Sequence, residues 1–289
     1  MIMVSIFKKL KKYADLVMFG HTLFALPIAY LSLFLAAGGW PSWHDFFWVT
    51  VAMFGARNAA NAWNRYADRK IDSANPRTTK RQLPTGKTSS LEVILLTGFC
   101  VILLIAAAWN LHPITLKLLP IAVLITLFYS YTKRFTWACH FYLGFACGLA
   151  PIGAWLAVRG DLSLGIILLA AVHGLWVTGF DIIYATQDYD FDREHGIKSV
   201  PARFGIERSL SIAKVVHIIT IILLIILPVF YSSLQVIYYL GVLIISFLLW
   251  YEHYLVSPTD LSQVKISSYS INQIIGPLLF VITIIDLLI

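Results

Sequence analysis

The stretch LSLGIILLAAVHGLWVTGFDIIYATQDYDFD, residues 162–192, joins an uninterrupted apolar run to a row of acids. Crossing the roughly 30 Å hydrocarbon core takes about 20 apolar residues, and only helices or closed barrels satisfy their backbone hydrogen bonds there. The run is continuous and not alternating, so 162–185 reads as a membrane helix. Comparable runs lie at 16–37, 46–67, 90–109, 113–131, 137–158, 209–229, 233–254 and 268–289, which brings the expected count to nine spans. With 289 residues, 59% hydrophobic and 13% charged, and a mean hydropathy of +0.77, the chain is too apolar for a soluble domain. The expected fold is all-α, a polytopic membrane protein. No linker rich in Pro, Gly or Ser divides the sequence, so residues 1–289 are expected to form one domain.

Lys8, Lys9, Lys11 and Lys12 precede the first run as they would in a signal peptide, but the apolar stretch is long and lacks a small-residue cleavage pattern. It is expected to stay as the first helix. Basic residues crowd one set of loops: Lys8 to Lys12, then Arg69, Lys70, Arg77, Lys80, Arg81 and Lys87, then Lys133 and Arg134, then Arg193, Lys198, Arg203 and Arg208, and finally Lys265. The opposite set offers Arg159. Positive loops stay inside, which predicts a cytoplasmic N-terminus and an outside C-terminus in the inner, cytoplasmic membrane. The net charge of +7 is used up by this bias and calls for no nucleic-acid partner. Cys100, Cys139 and Cys147 fall in apolar spans without metal spacing and read as packing residues.

Two acidic rows end even-numbered spans. Asn64, Asp68 and Asp72 lie in NRYADRKID, and Tyr184, Asp188 and Asp192 follow Asp181 in the second row. Steps of four place side chains on one helix face, about 40° apart and about 6 Å up the axis. Mg²⁺ takes hard oxygen ligands and one or two carboxylates, so two sparse rows suit it. Asp68, Asp72, Asp188 and Asp192 are the candidate metal ligands. Asp190 points off this face, and His195 lacks a partner at zinc spacing. The rows recur about four helices apart, as an old duplication of a helix bundle would leave them.

Beyond the rows lie the basic loops NPRTTKRQLPTGK (75–87) and REHGIKSVPARFG (193–205). Arg77, Arg81, Lys133 and Lys198 are candidates for holding a diphosphate. Arg57 lies two turns deeper than Asn64, where an unpaired charge costs about 2.5 to 3.5 kcal/mol, so an anion beside it is expected.

NRYADRKID with NPRTTKRQLPTG, then YSYTKRFT (129–136), then DIIYATQDYDFDREHGIKS resembles the UbiA superfamily of intramembrane aromatic prenyltransferases over nearly the whole chain. The closest resemblance is to its 4-hydroxybenzoate polyprenyltransferase branch, including relatives acting on a naphthoate in menaquinone formation. Both family motifs, Asn-x-x-x-Asp-x-x-x-Asp and Tyr-x-x-x-Asp-x-x-x-Asp, are complete. One departure is Arg65, where many members carry Asp. The resemblance implies nine helices around a central cavity open sideways to lipid and capped by polar loops. It also implies that Lys133 and Arg81 bind diphosphate and that Arg57 faces the aromatic acid.

The expected reaction is Mg²⁺-dependent transfer of a polyprenyl group from its diphosphate to the ring of 4-hydroxybenzoate, ortho to the phenol, in ubiquinone formation, with dihydroxynaphthoate in menaquinone formation as the alternative. Asn64 is counted among the substrate-binding residues. Asp181 is the candidate proton acceptor, and the rings of Tyr131 and Tyr184 are candidates for stabilising an allylic cation. Two other classes use intramembrane acids. A cation transporter leaves the basic rim unexplained, and a CDP-alcohol phosphotransferase needs an Asp-Gly pair that the chain lacks.

Overall fold

The structure, a computed structural model, describes residues 11–289, without side-chain description for 19–24. Lys8 and Lys9 lie outside the described residues. Nine long helices stand among those described: α1 (Phe19–Ala37), α2 (Trp43–Ala67), α3 (Ser90–Asn110), α4 (Pro113–Thr132), α5 (Cys139–Arg159), α6 (Leu164–Ala185), α7 (Ile206–Ile226), α8 (Val236–Tyr254) and α9 (Asn272–Leu288). Seven spans, from Ser90–Asn110 to Ile266–Leu288, are long and apolar enough to cross a membrane. α2 falls outside that set, its second half being made polar by Arg57, Asn58, Asn61, Asn64 and Arg65.

Local signals set the helix ends. Ser42 accepts a hydrogen bond from the Asp45 amide and starts α2 three residues before the expected run, while Ser89 and Glu92 form a reciprocal capping box on α3. α7 closes in a short 3-10 turn at Leu227–Val229, where Pro228 cannot donate to the helix ladder. A π-helical turn, Ile266–Ile271, leads into α9.

The largest departure from a simple helix reading falls in the acidic rows. α2 stops at Ala67, Asp68 sits between helices at φ −90° and ψ 2°, and a short helix, Arg69–Ala74, follows. The second row repeats this design. α6 stops at Ala185, a 3-10 turn covers Thr186–Asp188, and Asp188 at φ −101° and ψ 9° opens the helix Tyr189–Glu194. Asp is a poor interior helix residue because its carboxylate competes for backbone donors, so each row breaks at its middle acid. The break turns Asp72 and Asp192 inward, to 4% and 8% exposure. The same break at the same position in both rows supports the duplication.

Successive helices pack on each other from α1 to α9, and α9 returns to α1, which closes a ring. α1 and α5 also pack across it and divide two lobes. The lobe of α6 to α9 is filled by Trp176, Leu224, Tyr238, Ile245, Leu249 and Ile275. The lobe of α2, α3 and α4 against α5 instead encloses an apolar cavity of about 320 Å³. The expected cavity therefore lies to one side of the ring. At the end opposite the acids lie two basic residues, Lys117 in the second turn of α4 and Arg159 in the last turn of α5.

α5 and α6 are held closest where Gly144 meets Gly174. A Cβ on Gly144 would stand 2.1 Å from Thr178 Oγ1 and 2.2 Å from the Gly174 carbonyl oxygen. Small residues allow this approach, and it sets the spacing between α5, which carries His140, and α6, which carries Asp181 and leads into the second row. Gly144→Val is expected to destabilise the detergent-solubilised protein by about 1 to 3 kcal/mol through overpacking. Thermal unfolding measures this, and an unchanged midpoint would contradict the close-packing assignment.

Candidate active site

The ends of α2, α4 and α6 bring both acidic rows and the basic loops together. Asn64, one turn before the break, donates through Nδ2 to Asp68 Oδ2 at 2.9 Å. Lys133, the residue that caps α4, places Nζ 2.7 Å from the same oxygen. Arg134 bonds Asp68 Oδ1 at 3.2 Å and also donates to the carbonyl oxygens of Ala67 and Ser130, each at 2.6 Å. It ties α4 to the open end of α2. Asp72 is held by Arg81 at 2.7 Å.

The second row is reached from the first loop. Arg77 donates through Nε to Asp188 Oδ1 at 2.9 Å and through Nη2 to Oδ2, a bidentate pair. Asn75 Nδ2 reaches Asp188 Oδ1 at 2.8 Å, and Arg77 Nη1 donates to the Tyr184 hydroxyl at 2.8 Å. Burial works against the Arg77 charge, but its hydrogen bonds and attraction to Asp188 outweigh it and hold the guanidinium above its ordinary pKa. Asp192 accepts from Ser199 Oγ at 2.8 Å. The loop after α2 therefore clasps the row after α6, and the rows form the floor of a single site.

Most of the expected residues meet here: Asn64, Asp68, Asp72, Arg77, Arg81, Lys133, Tyr184, Asp188 and Asp192. Lys198 joins through the backbone, its amide donating to the Lys133 carbonyl at 2.8 Å, while its Nζ turns to the Phe135 carbonyl at 3.2 Å and away from the acids. Arg134 lies over one face of the Tyr131 ring at 5.0 Å and Arg77 over one face of the Tyr184 ring at 5.1 Å. Asp190 is exposed, as expected, and His195 stacks on Phe191. Among the described residues no three His, Cys, Asp or Glu side chains already stand together as a metal cage. Each row is closed on its own counter-charges: Asp68 on Lys133 and Arg134, Asp72 on Arg81, and Asp188 on Arg77. The donor set nonetheless fits Mg²⁺, being carboxylate oxygens with an amide nearby and no sulfur.

Below this floor runs the apolar cavity. Its lining along α4 reaches from Tyr129 to Thr115, which at 1.5 Å per residue is about 21 Å. Leu118 and Ile121 on that wall are also exposed at the outer surface of the bundle, so the cavity adjoins the lipid face. Among the described residues, Arg57 is the one charged residue in the lining. Its Nε is buried without a hydrogen-bond partner, and its Nη1 contact is Cys147 Sγ at 4.0 Å. His173 stands near, with Nδ1 3.1 Å from the Cys147 carbonyl oxygen. Cys147 is thus a wall of the cavity and not only packing. By helix rise, Arg57 lies about 15 Å below Ala67 and His173 about 18 Å below Ala185, while Asp181 lies only about 6 Å below Ala185. Asp181 stands between the two levels and meets His140 Nδ1 at 2.6 Å.

Sequence reasoning passed over Asn75, Arg134, His140, His173 and Ser199. Arg134 was hidden among cations that loop bias alone explains. Asn75 sits before Pro76, a turn position, and His140 gains meaning only from Asp181 in another helix.

An apolar channel beneath paired acidic rows and a basic rim defines a membrane-embedded enzyme class that handles a phosphorylated lipid. The comparisons narrow this. The sequence pattern of the UbiA prenyltransferase family matches residues 25–273, and the chain belongs to that family. The 4-hydroxybenzoate octaprenyltransferase of Vibrio campbellii is 33% identical over 228 residues, 78% of each chain. That of Marinobacter nauticus is 33% identical over 235 residues, 81% of this chain and 79% of its own. A UbiA homologue from Aeropyrum pernix, solved in its apo form, aligns with a TM-score of 0.84 at 32% identity, covering 93% of this chain and 98% of that one. A UbiA homologue from Archaeoglobus fulgidus, bound to DMAPP and Mg²⁺, shares the fold with a TM-score of 0.66 at 20% identity, over 93% and 99% of the two chains.

Proposed function

We propose that the protein transfers a polyprenyl group from polyprenyl diphosphate to the ring of 4-hydroxybenzoate, ortho to the phenol, for ubiquinone formation. The observation that carries this reading is Arg57: a guanidinium whose buried Nε has no hydrogen-bond partner, in a cavity lined among the described residues by no other charged side chain, below acids closed by rim cations. A carboxylate on an aromatic ring satisfies Arg57, and the long apolar wall suits a polyprenyl tail. Relatives named as 4-hydroxybenzoate octaprenyltransferases support the acceptor, and the Archaeoglobus homologue bound to DMAPP and Mg²⁺ supports the donor and the metal.

Arg77, Arg81, Lys133 and Arg134 are paired with carboxylates, and a diphosphate offers them replacement oxygens. Asp68, Asp72 and Asp188, released from those partners, together with Asp192, which is bonded to Ser199, would hold Mg²⁺. The ion, when bound, supplies positive charge against the diphosphate leaving group. The basic rim stabilises the same growing charge, and Asn64 and Asn75 orient Asp68 and Asp188. Arg57 fixes the acid so that its ring faces C1 of the prenyl chain. The ring carbon bonds C1 as the C1–O bond breaks and its electron pair leaves with diphosphate. Asp181, between Arg57 and the rows, accepts the ring proton, and the apolar walls keep water from the allylic centre. The concentration of basic residues at the acidic end supports a site that opens to the cytoplasmic side of the inner membrane.

A membrane assay with labelled polyprenyl diphosphate tests this. The expected result is labelled product with 4-hydroxybenzoate, lost on EDTA treatment and restored by excess Mg²⁺. Product only with dihydroxynaphthoate would move the acceptor, and transfer that survives chelation would overturn the metal assignment.

A further inference from the structure

His140 and Asp181 come from the first turn of α5 and the last turn of α6, and their contact of 2.6 Å crosses the helix pair held by Gly144 and Gly174. His140 is 5% exposed, and Thr178 Oγ1 donates to its carbonyl oxygen at 3.3 Å while also bonding the Gly174 carbonyl at 2.8 Å. The imidazole is therefore fixed in place by the packing of both helices. Its Nε2 is buried with no hydrogen-bond partner. Nδ1 meets Asp181.

Asp181 has the opposite character. Its side chain keeps 27% of its surface, and among the described residues Oδ1 makes no hydrogen bond while Oδ2 is taken by His140. It is close enough to Cys147, a wall of the cavity, for its charge to act on the thiol, and His140 is similarly close to Asp192. By helix rise Asp181 stands between the level of Arg57 and the acidic rows, with the imidazole bonded to its Oδ2.

We infer that His140 is a positioning residue for the ring-proton step, holding Asp181 by Oδ2 so that Oδ1 points at the proton leaving the prenylated ring carbon. This rests on the reading that the protein prenylates an aromatic ring. When C1 has bonded to the ring, the C–H electron pair returns to the ring and restores aromaticity, and the proton passes to Asp181 Oδ1. The hydrogen bond from His140 keeps the carboxylate in one rotamer and shares the charge change. A partner behind a functional group commonly contributes 10- to 100-fold through orientation alone, as in the outer shells of metal sites.

The test compares acceptor protonated or deuterated at the ring positions flanking the phenol. In the wild-type protein proton loss follows a slower ionisation, so the isotope ratio on kcat is expected near unity. His140→Leu is expected to lower kcat about 10-fold or more with both KM values little changed, and to raise the isotope ratio clearly above unity. His140→Asn, whose amide can take the place of Nδ1, is expected to recover much of the rate lost in the Leu variant and to lower the ratio again. If His140→Leu fails to fold, Asp181→Asn carries the same isotope measurement, with an expected fall of about 100-fold. Isotope ratios equal to wild type in the Leu and Asp181 variants, or equal losses for Leu and Asn, would overturn the inference. Transfer by the wild-type protein with such ratios sinks the dyad alone, whereas no transfer to either acceptor by the wild-type protein sinks the prenylation reading beneath it.

Discussion

Asp68→Asn is expected to reduce kcat at least about 100-fold while the protein still folds. The magnitude follows from the number of groups that depend on Asp68. Its carboxylate is 2% exposed and carries Lys133, Arg134 and Asn64 on two oxygens. Asn preserves shape and one acceptor but removes the charge, leaving two cations to repel each other at the mouth of α2. Breaking a buried charge pair by deleting one partner costs about 3 to 5 kcal/mol, part of which appears as lost stability and part as misplaced Lys133. Loss of one electrostatic stabiliser of a transition state costs about 10²- to 10³-fold in kcat. Asp188→Asn, which strips Arg77 and Asn75 of their shared partner, is expected to behave alike, as its matched position in the second row requires. Steady-state kinetics on purified protein, with size-exclusion profiles as a folding control, check both. Normal kcat in either variant would remove the paired-row site.

The second large effect falls on a different constant. Arg57→Ala is expected to raise KM for the aromatic acid about 30-fold or more, since truncating one partner of a buried hydrogen-bonded charge pair costs about 2 to 5 kcal/mol. KM for the prenyl diphosphate should change little, because Arg57 lies about 15 Å of helix rise below the acids. Removing the guanidinium also relieves a buried, unpartnered Nε, so the variant is expected to be at least as stable as wild type without substrate. A structural arginine would show the reverse: lost stability and an unchanged acceptor KM. Thermal unfolding beside acceptor titrations separates the two.

The polytopic all-α fold was legible because a membrane demands about 20 apolar residues per crossing, a signal that needs no tertiary context, although seven and not nine of the described helices are long and apolar enough to cross. The acidic rows were legible for a similar reason, being written in steps of four. Their geometry was not. A spacing of four is the same whether the helix runs on or breaks at Asp68 and Asp188, and only the preference of Asp for helix ends hinted at the break. The rim cations were countable, but loop bias places cations there regardless, so Arg134 could not be told from its neighbours, and nothing in the chain marked that Lys198 Nζ would turn to the Phe135 carbonyl. The division of the ring into a filled lobe and a hollow one depends on which faces meet, as does the contact of His140 with Asp181, and neither leaves a local mark in the chain.

The central claim is that two rows, 120 residues apart, grip one diphosphate through Mg²⁺. Equilibrium binding of a non-cleavable polyprenyl thiodiphosphate tests it without turnover. The expected result is tight binding with Mg²⁺, weakened about 100-fold or more by EDTA, by Asp68→Asn and by Asp188→Asn alike, in keeping with the loss of charge-assisted contacts at each row. Binding that ignores chelation, or that responds to one row and not the other, would contradict it.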